Sequence, residues 1–265
     1  MDSPFAIYPL GSGSRGNATV FAAGDQLILV DAGFSRRELE RRMRSCGLDP
    51  ERVTAVLLTH EHDDHAAGCR VFCDSHGLPL YLSGMTCDAL AAREMLPERV
   101  MIFSPGIEFA VGNFRVRPFS VSHDAAEPVG FILRRDGYPC KAGMATDLGV
   151  MESSIADELA DCDVLVLESN YSEDMLEESE RTPRLKRRIR STKGHLGNHQ
   201  CMELLPGLVG ERTRMIYFAH VSRECNEYAL VASLAEARIG GRVNFAVEEQ
   251  DAPARAFDII GGRLL

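Results

Sequence analysis

Short apolar runs alternate with turn-forming residues along this chain, and the spacing of the buried positions switches between a period of two and one near 3.6. Phe5–Leu10, Thr19–Ala22 and Gln26–Val30 read as strands, the first two joined by the glycine- and serine-rich stretch Gly11–Asn17. A phosphate-cradling loop would run into a helix N-terminus, whereas this one leads into another strand, so it reads mainly as a hairpin turn. Ser35 and Glu38 make a capping-box pattern, which predicts a helix with a basic outer face from Arg36 to Cys46, ending at Gly47.

Further along, the pattern predicts a strand Val53–Thr59, a helix reaching Ser75, a strand Leu80–Ser83 and a helix Met85–Met95. Strands dominate from Met101 to Ala145, followed by a helix Met151–Leu159 and the buried strand Val164–Leu167. The last third alternates again: helix His199–Leu205, strand Met215–Phe218, helix Asn226–Arg238, strand Val243–Val247. Strands and helices interleaved in two comparable halves predict two packed sheets with helices on both outer faces, a four-layer α/β sandwich. No stretch reads as a linker and no literal repeat is visible, so residues 1–265 are expected to form a single domain.

Composition narrows the class. With 45% hydrophobic and 26% charged residues, and no uninterrupted apolar stretch of spanning length, a membrane protein is not expected. Met1-Asp2-Ser3-Pro4 lacks the basic and apolar regions of an export signal, and the eight cysteines are scattered, which together predict a reducing, cytoplasmic compartment. Cys69 and Cys73, four apart on an expected helix, read either as a metal clip or, in preference, as small buried residues on one face. A net charge of −10 argues against indiscriminate nucleic-acid binding by the whole surface. Yet Arg181, Arg184, Lys186, Arg187, Arg188, Arg190 and Lys193 fall in one stretch without an acid, which reads as a docking site for something anionic or as a solvated surface run.

The chemistry concentrates after the strand Val53–Thr59, in His60-Glu61-His62-Asp63-Asp64-His65. Neutral imidazole and carboxylate are the donors that divalent zinc, manganese or iron take. Strand alternation lets His60, His62 and Asp64 point one way, with His65 brought around by the turn. Two ions need more donors than one loop supplies, and His123, Asp147 and His220 each stand at the end of an apolar run.

In this order, Leu29-Val30-Asp31-Ala32-Gly33, the His60–His65 cluster, His123, Asp147 and His220 make the chain resemble the metallo-β-lactamase superfamily. The resemblance implies the αββα metallo-β-lactamase sandwich, with one metal on His60, His62 and His123, a second on Asp64, His65 and His220, Asp147 bridging, and Asp31 orienting a ligand. A bridging Asp147 together with His220 resembles the phosphodiesterase and nuclease branches, where the β-lactamases proper carry a cysteine. Leu167-Glu168-Ser169-Asn170, Gly194-His195-Leu196-Gly197-Asn198 and His220-Val221-Ser222 are similar to the YycJ/WalJ family of bacterial exonucleases on double-stranded DNA, although Tyr171 stands where that family often has histidine.

The resemblance implies a DNA exonuclease with two divalent ions, Zn2+ or Mn2+, and a metal-bridging hydroxide oriented by Asp64. By similarity to transfer-RNA 3′-processing nucleases, Glu168 would hold His195 so that its imidazolium protonates the leaving oxygen. His195 precedes a helix that Asn198 is expected to cap, and Arg184, Lys186, Arg187 and Arg188 would neutralise flanking phosphates. Ser222 and Asn226 could bind phosphate or cap the next helix, Arg15 and Asn17 could touch substrate, and His76 and His199 are expected on the surface or a helix face. The alternatives are a small-molecule hydrolase of the glyoxalase-II or lactonase type, which leaves the basic stretch unexplained, and a nucleic-acid-binding scaffold whose metals only hold the fold.

Overall fold

A computed structural model describes residues 5–265; the expectation about export drawn from Met1–Pro4 lies outside them. One sheet has the order β15-β14-β1-β2-β3-β4-β5-β6, built from β1 (Phe5–Gly11), β2 (Ala18–Ala23), β3 (Gln26–Val30), β4 (Val53–Leu57), β5 (Leu80–Ser83), β6 (Val100–Phe103), β14 (Phe257–Asp258) and β15 (Arg263–Leu264). The other runs β13-β12-β11-β10-β9-β8-β7, from β7 (Phe109–Val111), β8 (Phe114–Ser120), β9 (Val129–Arg135), β10 (Lys141–Ala145), β11 (Val164–Glu168), β12 (Met215–Ala219) and β13 (Asn244–Val247). The stretch expected to be rich in strands therefore divides between the sheets, leaving the first after Phe103 and entering the second at Phe109.

The central strands are apolar on both faces, and their alternation builds the layers. Ile28, Val30, Ala55 and Leu57 of the first sheet meet Val164, Val166, Met215 and Tyr217 of the second in the core between the sheets. The intervening residues face outward under helices. Leu27, Leu29, Val56 and Leu58 pack with Leu39 and Met43 of α1 (Arg36–Ser45) and with Cys69, Phe72 and Cys73 of α3 (Cys69–His76). Leu165, Leu167, Ile216 and Phe218 pack with α5 (Ser153–Leu159), α8 (Asn198–Leu208) and α9 (Tyr228–Ile239). Each such buried side chain contributes roughly 1.5–3 kcal/mol, so three apolar layers hold the expected four-layer sandwich together. Cys69 and Cys73 are buried among these apolar residues and join no metal-competent group among the described residues.

Several boundaries move. β4 stops at Leu57, because Asp31 captures the next backbone: its carboxylate accepts from Thr59 N at 2.8 Å and from Thr59 Oγ1 at 3.0 Å. The helix expected over Met85–Met95 is α4 (Gly84–Ala91), and two short C-terminal strands appear that no periodicity announced. Ser35 does cap α1, accepting from Glu38 N. Asn198 does not cap α8: Gly197 holds that position, its N–H donating to Gln200 Oε1, while the Asn198 side chain is engaged by Ser169 and Asn226. The basic stretch holds a helix, α7 (Pro183–Ile189), capped by Thr182 with Pro183 in its first turn and preceded by α6 (Glu173–Glu178).

Candidate metal centre

Strand direction puts the donors together. β3 and β4 run parallel, as do β10, β11 and β12, so Asp31, the His60 loop, Asp147, Glu168 and His220 all emerge at carboxyl ends of strands. Asp31, Asp147 and His220 each adopt a positive φ, between 55° and 61°. For non-glycine residues this costs of order 1–3 kcal/mol, and such strain gathers at functional sites. Gly33 allows the closest approach of the neighbouring loop, since a Cβ there would sit 1.8 Å from the Asp64 carbonyl oxygen.

The cluster does not use strand alternation as expected. Past Leu57 the chain turns, and α2 (Asp63–Ala66) carries Asp64 and His65 on one helical turn. His60, His62 and His123 offer nitrogens within 4.8 Å of one another, as do the donors of Asp64, His65 and His220, and those of His60, His65 and Asp147. Between the two triads, the Asp147 carboxylate lies 3.1 Å from His65 Nε2, 3.5 Å from His220 Nε2 and 3.8 Å from His123 Nε2. All seven expected ligand residues therefore converge.

Four of the five imidazoles are oriented through Nδ1. His60 Nδ1 meets Thr59 Oγ1 at 3.0 Å, His65 Nδ1 meets Asp31 at 2.8 Å, His123 Nδ1 meets the Gly194 carbonyl at 3.0 Å and His220 Nδ1 meets Glu168 at 3.0 Å. Each of these partners leaves Nε2 directed at the common centre, an arrangement that fixes the tautomer of a metal-ligating histidine. His62 instead brings Nδ1 inward, 3.3 Å from His123 Nε2. His60 Nε2 and Asp147 Oδ2 are buried and make no hydrogen bond, Asp147 Oδ2 standing 3.1 Å from His65 Nε2. Unsatisfied buried polar atoms are costly, and a divalent cation would satisfy both, so the residues present fit one.

Electrostatics sort the same way. Burial holds the His60 and His123 imidazoles below their usual range. For His65 and His220 burial acts in the same direction, but Asp147 and the other adjoining carboxylates outweigh it and raise both. Burial would raise the Asp64 and Asp147 carboxyls, and the surrounding histidines overcome it and lower both. The carboxylates of the centre thus favour positive charge beside them, on the imidazoles or on a cation held between them.

Glu168 is fully buried, and its Oε1 accepts from His195 Nδ1 at 2.8 Å as well as from His220. Its Oε2 accepts the backbone N–H groups of Leu148 and Leu196, both at 3.0 Å. His195 is half-buried, and its ring stacks on His220 with centroids 5.2 Å apart. His195 and His220 border a cleft of about 210 Å3, which Arg181, Leu185, Arg188 and Ile189 of the α7 region also line.

The basic stretch is less free than its composition suggests. Arg188 forms a bidentate ion pair with Asp124, Arg181 pairs with Glu224, Arg190 pairs with Glu177, and Lys186 donates to the Glu177 carbonyl. Arg184 and Arg187 are exposed and have no ion-pair partner among the described residues. The other candidates separate. Asn17 is 3% exposed and turned toward Asp64 rather than outward, whereas Arg15 is exposed. Asn226 is buried, bonding to the Ser169 and Asn170 carbonyls, and Ser222 lines the cleft. His76 lies against Glu40 and Glu51, and His199 is exposed on α8.

Sequence reasoning missed Thr59, Asp124 and the Gly194 carbonyl. Thr59 adjoins the histidine cluster and Asp124 adjoins His123, and that adjacency was the available signal; the Gly194 carbonyl reaches the site through a long-range contact.

Residues 26–218 match the model of the β-lactamase superfamily domain. The chain is 32% identical to exodeoxyribonuclease WalJ of Streptococcus pneumoniae serotype 2 over 247 residues, covering 90% of this chain and 91% of that protein. It is 32% identical to exodeoxyribonuclease YycJ of Bacillus anthracis over 219 residues, covering 82% of each. Among solved structures, the metallo-β-lactamase fold protein YhfI from Bacillus subtilis superposes with a TM-score of 0.73 at 16% identity, covering 95% of this chain and 99% of that one. With that fold, the clustered donors and relatives aligned along nearly the whole length, the chain belongs to the β-lactamase superfamily and, within it, to the WalJ/YycJ family of metal-dependent hydrolases.

Proposed function

We propose that this chain is a metal-dependent phosphodiesterase that acts as a DNA exonuclease. The observation that carries the reading is the joint one: seven metal-competent residues around two unpartnered buried atoms, with the Glu168–His195 pair beside them and a cationic helix across the cleft. The names of the aligned relatives support DNA as substrate.

His60, His62 and His123 would hold one divalent ion, Asp64, His65 and His220 a second, with Asp147 shared between them. Zn2+ or Mn2+ in these positions would supply Lewis acidity to the scissile phosphate. The chain's own groups do the rest. Asp31, Thr59, Gly194 and Glu168 hold the imidazoles in their donor tautomers. Asp64, whose carboxylate faces the cleft, orients the attacking water. His195, held at Nδ1 by the Glu168 carboxylate, keeps its other nitrogen for the leaving oxygen and delivers a proton there. Arg184 and Arg187 are free to neutralise flanking phosphates, a contact that positions the strand without reading its sequence. Lys186 and Arg188, expected to share that task, are held within the fold, Lys186 on the Glu177 carbonyl and Arg188 on Asp124, with Arg188 lining the cleft.

Both sheets contribute donors to one centre, which supports a single domain over the chain. Cysteines that are all unpaired support a reducing, cytoplasmic setting. No helix among the described residues is long and apolar enough to cross a membrane.

End-labelled duplex and single-stranded DNA, incubated with protein stripped of metal and then resupplied with Zn2+, Mn2+ or Mg2+, tests the reading. Loss of nucleotides only after metal is restored is the expected result. Turnover of a thioester or lactone with no DNA cleavage under any of these conditions would overturn it.

A further inference from the structure

The loop Gly11–Asn17 does more than join β1 to β2. We propose that Asn17, held in place by Ser12, is a positioning residue for the Asp64–His65–His220 half of the metal centre; the inference rests on the two-ion reading above. Asn17 Oδ1 accepts from Ser12 Oγ at 2.8 Å and from Gly13 N at 2.9 Å, which locks the carboxamide inside its own loop. Its Nδ2 lies 3.0 Å from His65 Nε2 and 3.4 Å from Asp64 Oδ2. The Asn17 backbone is tied to the same place, its N–H donating to the Asp64 carbonyl at 2.8 Å and its carbonyl accepting from Gly33 N at 3.0 Å.

Ser12 completes the link to the third residue of the triad. Its Oγ accepts the His220 backbone N–H at 2.8 Å, at one of the positive-φ positions that aim the imidazole. The loop is itself clamped from the far end of the chain: Gln250 Oε1 accepts from Arg15 N and Gln250 Nε2 donates to the Gly16 carbonyl. One buried amide thus reaches Asp64 and His65 directly and His220 through a single hydroxyl, while no such contact joins it to His60, His62 or His123.

Chemistry gives the amide a definite task. With His65 Nε2 engaged by a cation, one Asn17 amino hydrogen goes to the Gly13 carbonyl at 3.1 Å and the other faces Asp64, whose carbonyl and carboxylate oxygens lie at 3.3 and 3.4 Å. The amide would restrain that carboxylate, the one ligand of its triad that is not almost fully buried. An alanine keeps the backbone ties and deletes this restraint. Removing such a supporting partner typically weakens metal affinity about 10- to 100-fold.

The test is a titration of metal-free protein with Co2+, followed by its visible absorption, for wild type, Asn17→Ala and Ser12→Ala. Wild type should bind in two steps. Asn17→Ala should weaken one of the two steps at least about tenfold and leave the other unchanged, with Ser12→Ala showing a smaller loss in that same step. Circular dichroism of the metal-free proteins reports folding, and if Asn17→Ala is unfolded, Ser12→Ala decides. Both steps unchanged, or equal weakening of both steps in a folded variant, would overturn the proposal alone. A single step in wild type would remove the two-ion reading and the proposal together.

Discussion

At the scale of single residues, the centre depends on what stands behind each ligand. Glu168 is the sharpest case, because one carboxylate oxygen serves both His195 and His220. Changing His195 to Ala should lower turnover about 100- to 10,000-fold, the usual contribution of a positioned general acid, without altering bound metal. Glu168→Gln should instead lower both quantities, since the amide cannot accept at one atom from two imidazoles as strongly as a carboxylate. Metal analysis beside single-turnover kinetics separates the two variants; identical behaviour would count against the division of labour.

At the scale of elements, α7 is a helix whose cations have two different employments. Arg188 points across the cleft to Asp124, which itself lies 3.4 Å from His123 Nε2, while Arg184 and Arg187 stand exposed on the same helix. Charge reversal at Arg184 and Arg187 should weaken DNA binding and reduce the salt dependence of affinity, by about 0.9 in log–log slope for each phosphate that is no longer neutralised. Arg188→Ala should leave that slope nearly unchanged and lower turnover on bound DNA, because it frees Asp124 beside a metal ligand. Fluorescence anisotropy across a salt series, paired with turnover at saturating DNA, distinguishes them.

At the scale of the whole molecule, a buried acid couples stability to pH. Glu248, at the end of β13, is fully enclosed, and desolvation pushes its carboxyl up to about 8 from an ordinary 4.5. In the unfolded chain it ionises near the ordinary value, whereas the fold holds it neutral. Its stabilising contribution is therefore complete below about 4.5 and is lost progressively as pH rises through about 8. Urea melts at pH 5 and pH 9 should show wild type losing more stability across that interval than Glu248→Gln. Equal losses would mean that Glu248 ionises as readily inside the fold as outside it.

What could be read before folding was local chemistry. Near-continuous apolar runs in Gln26–Val30 and Val164–Leu167 foretold strands buried on both faces, and hence two sheets between helices. His60 through His65, with His123, Asp147 and His220 at the ends of apolar runs, announced the donors because ligand chemistry needs those side chains and strand ends deliver them. Other features belong to the tertiary structure alone. Asp124 claims Arg188, Gly194 orients His123, and Asn17 turns inward onto Asp64, contacts between residues 64, 71 and 47 positions apart respectively. Periodicity registers which face of an element is buried but not what lies against it. The sequence by itself determined which groups could hold a cation; only the packing of the two sheets decided which partners orient them and which basic side chains of α7 are left without an ion-pair partner.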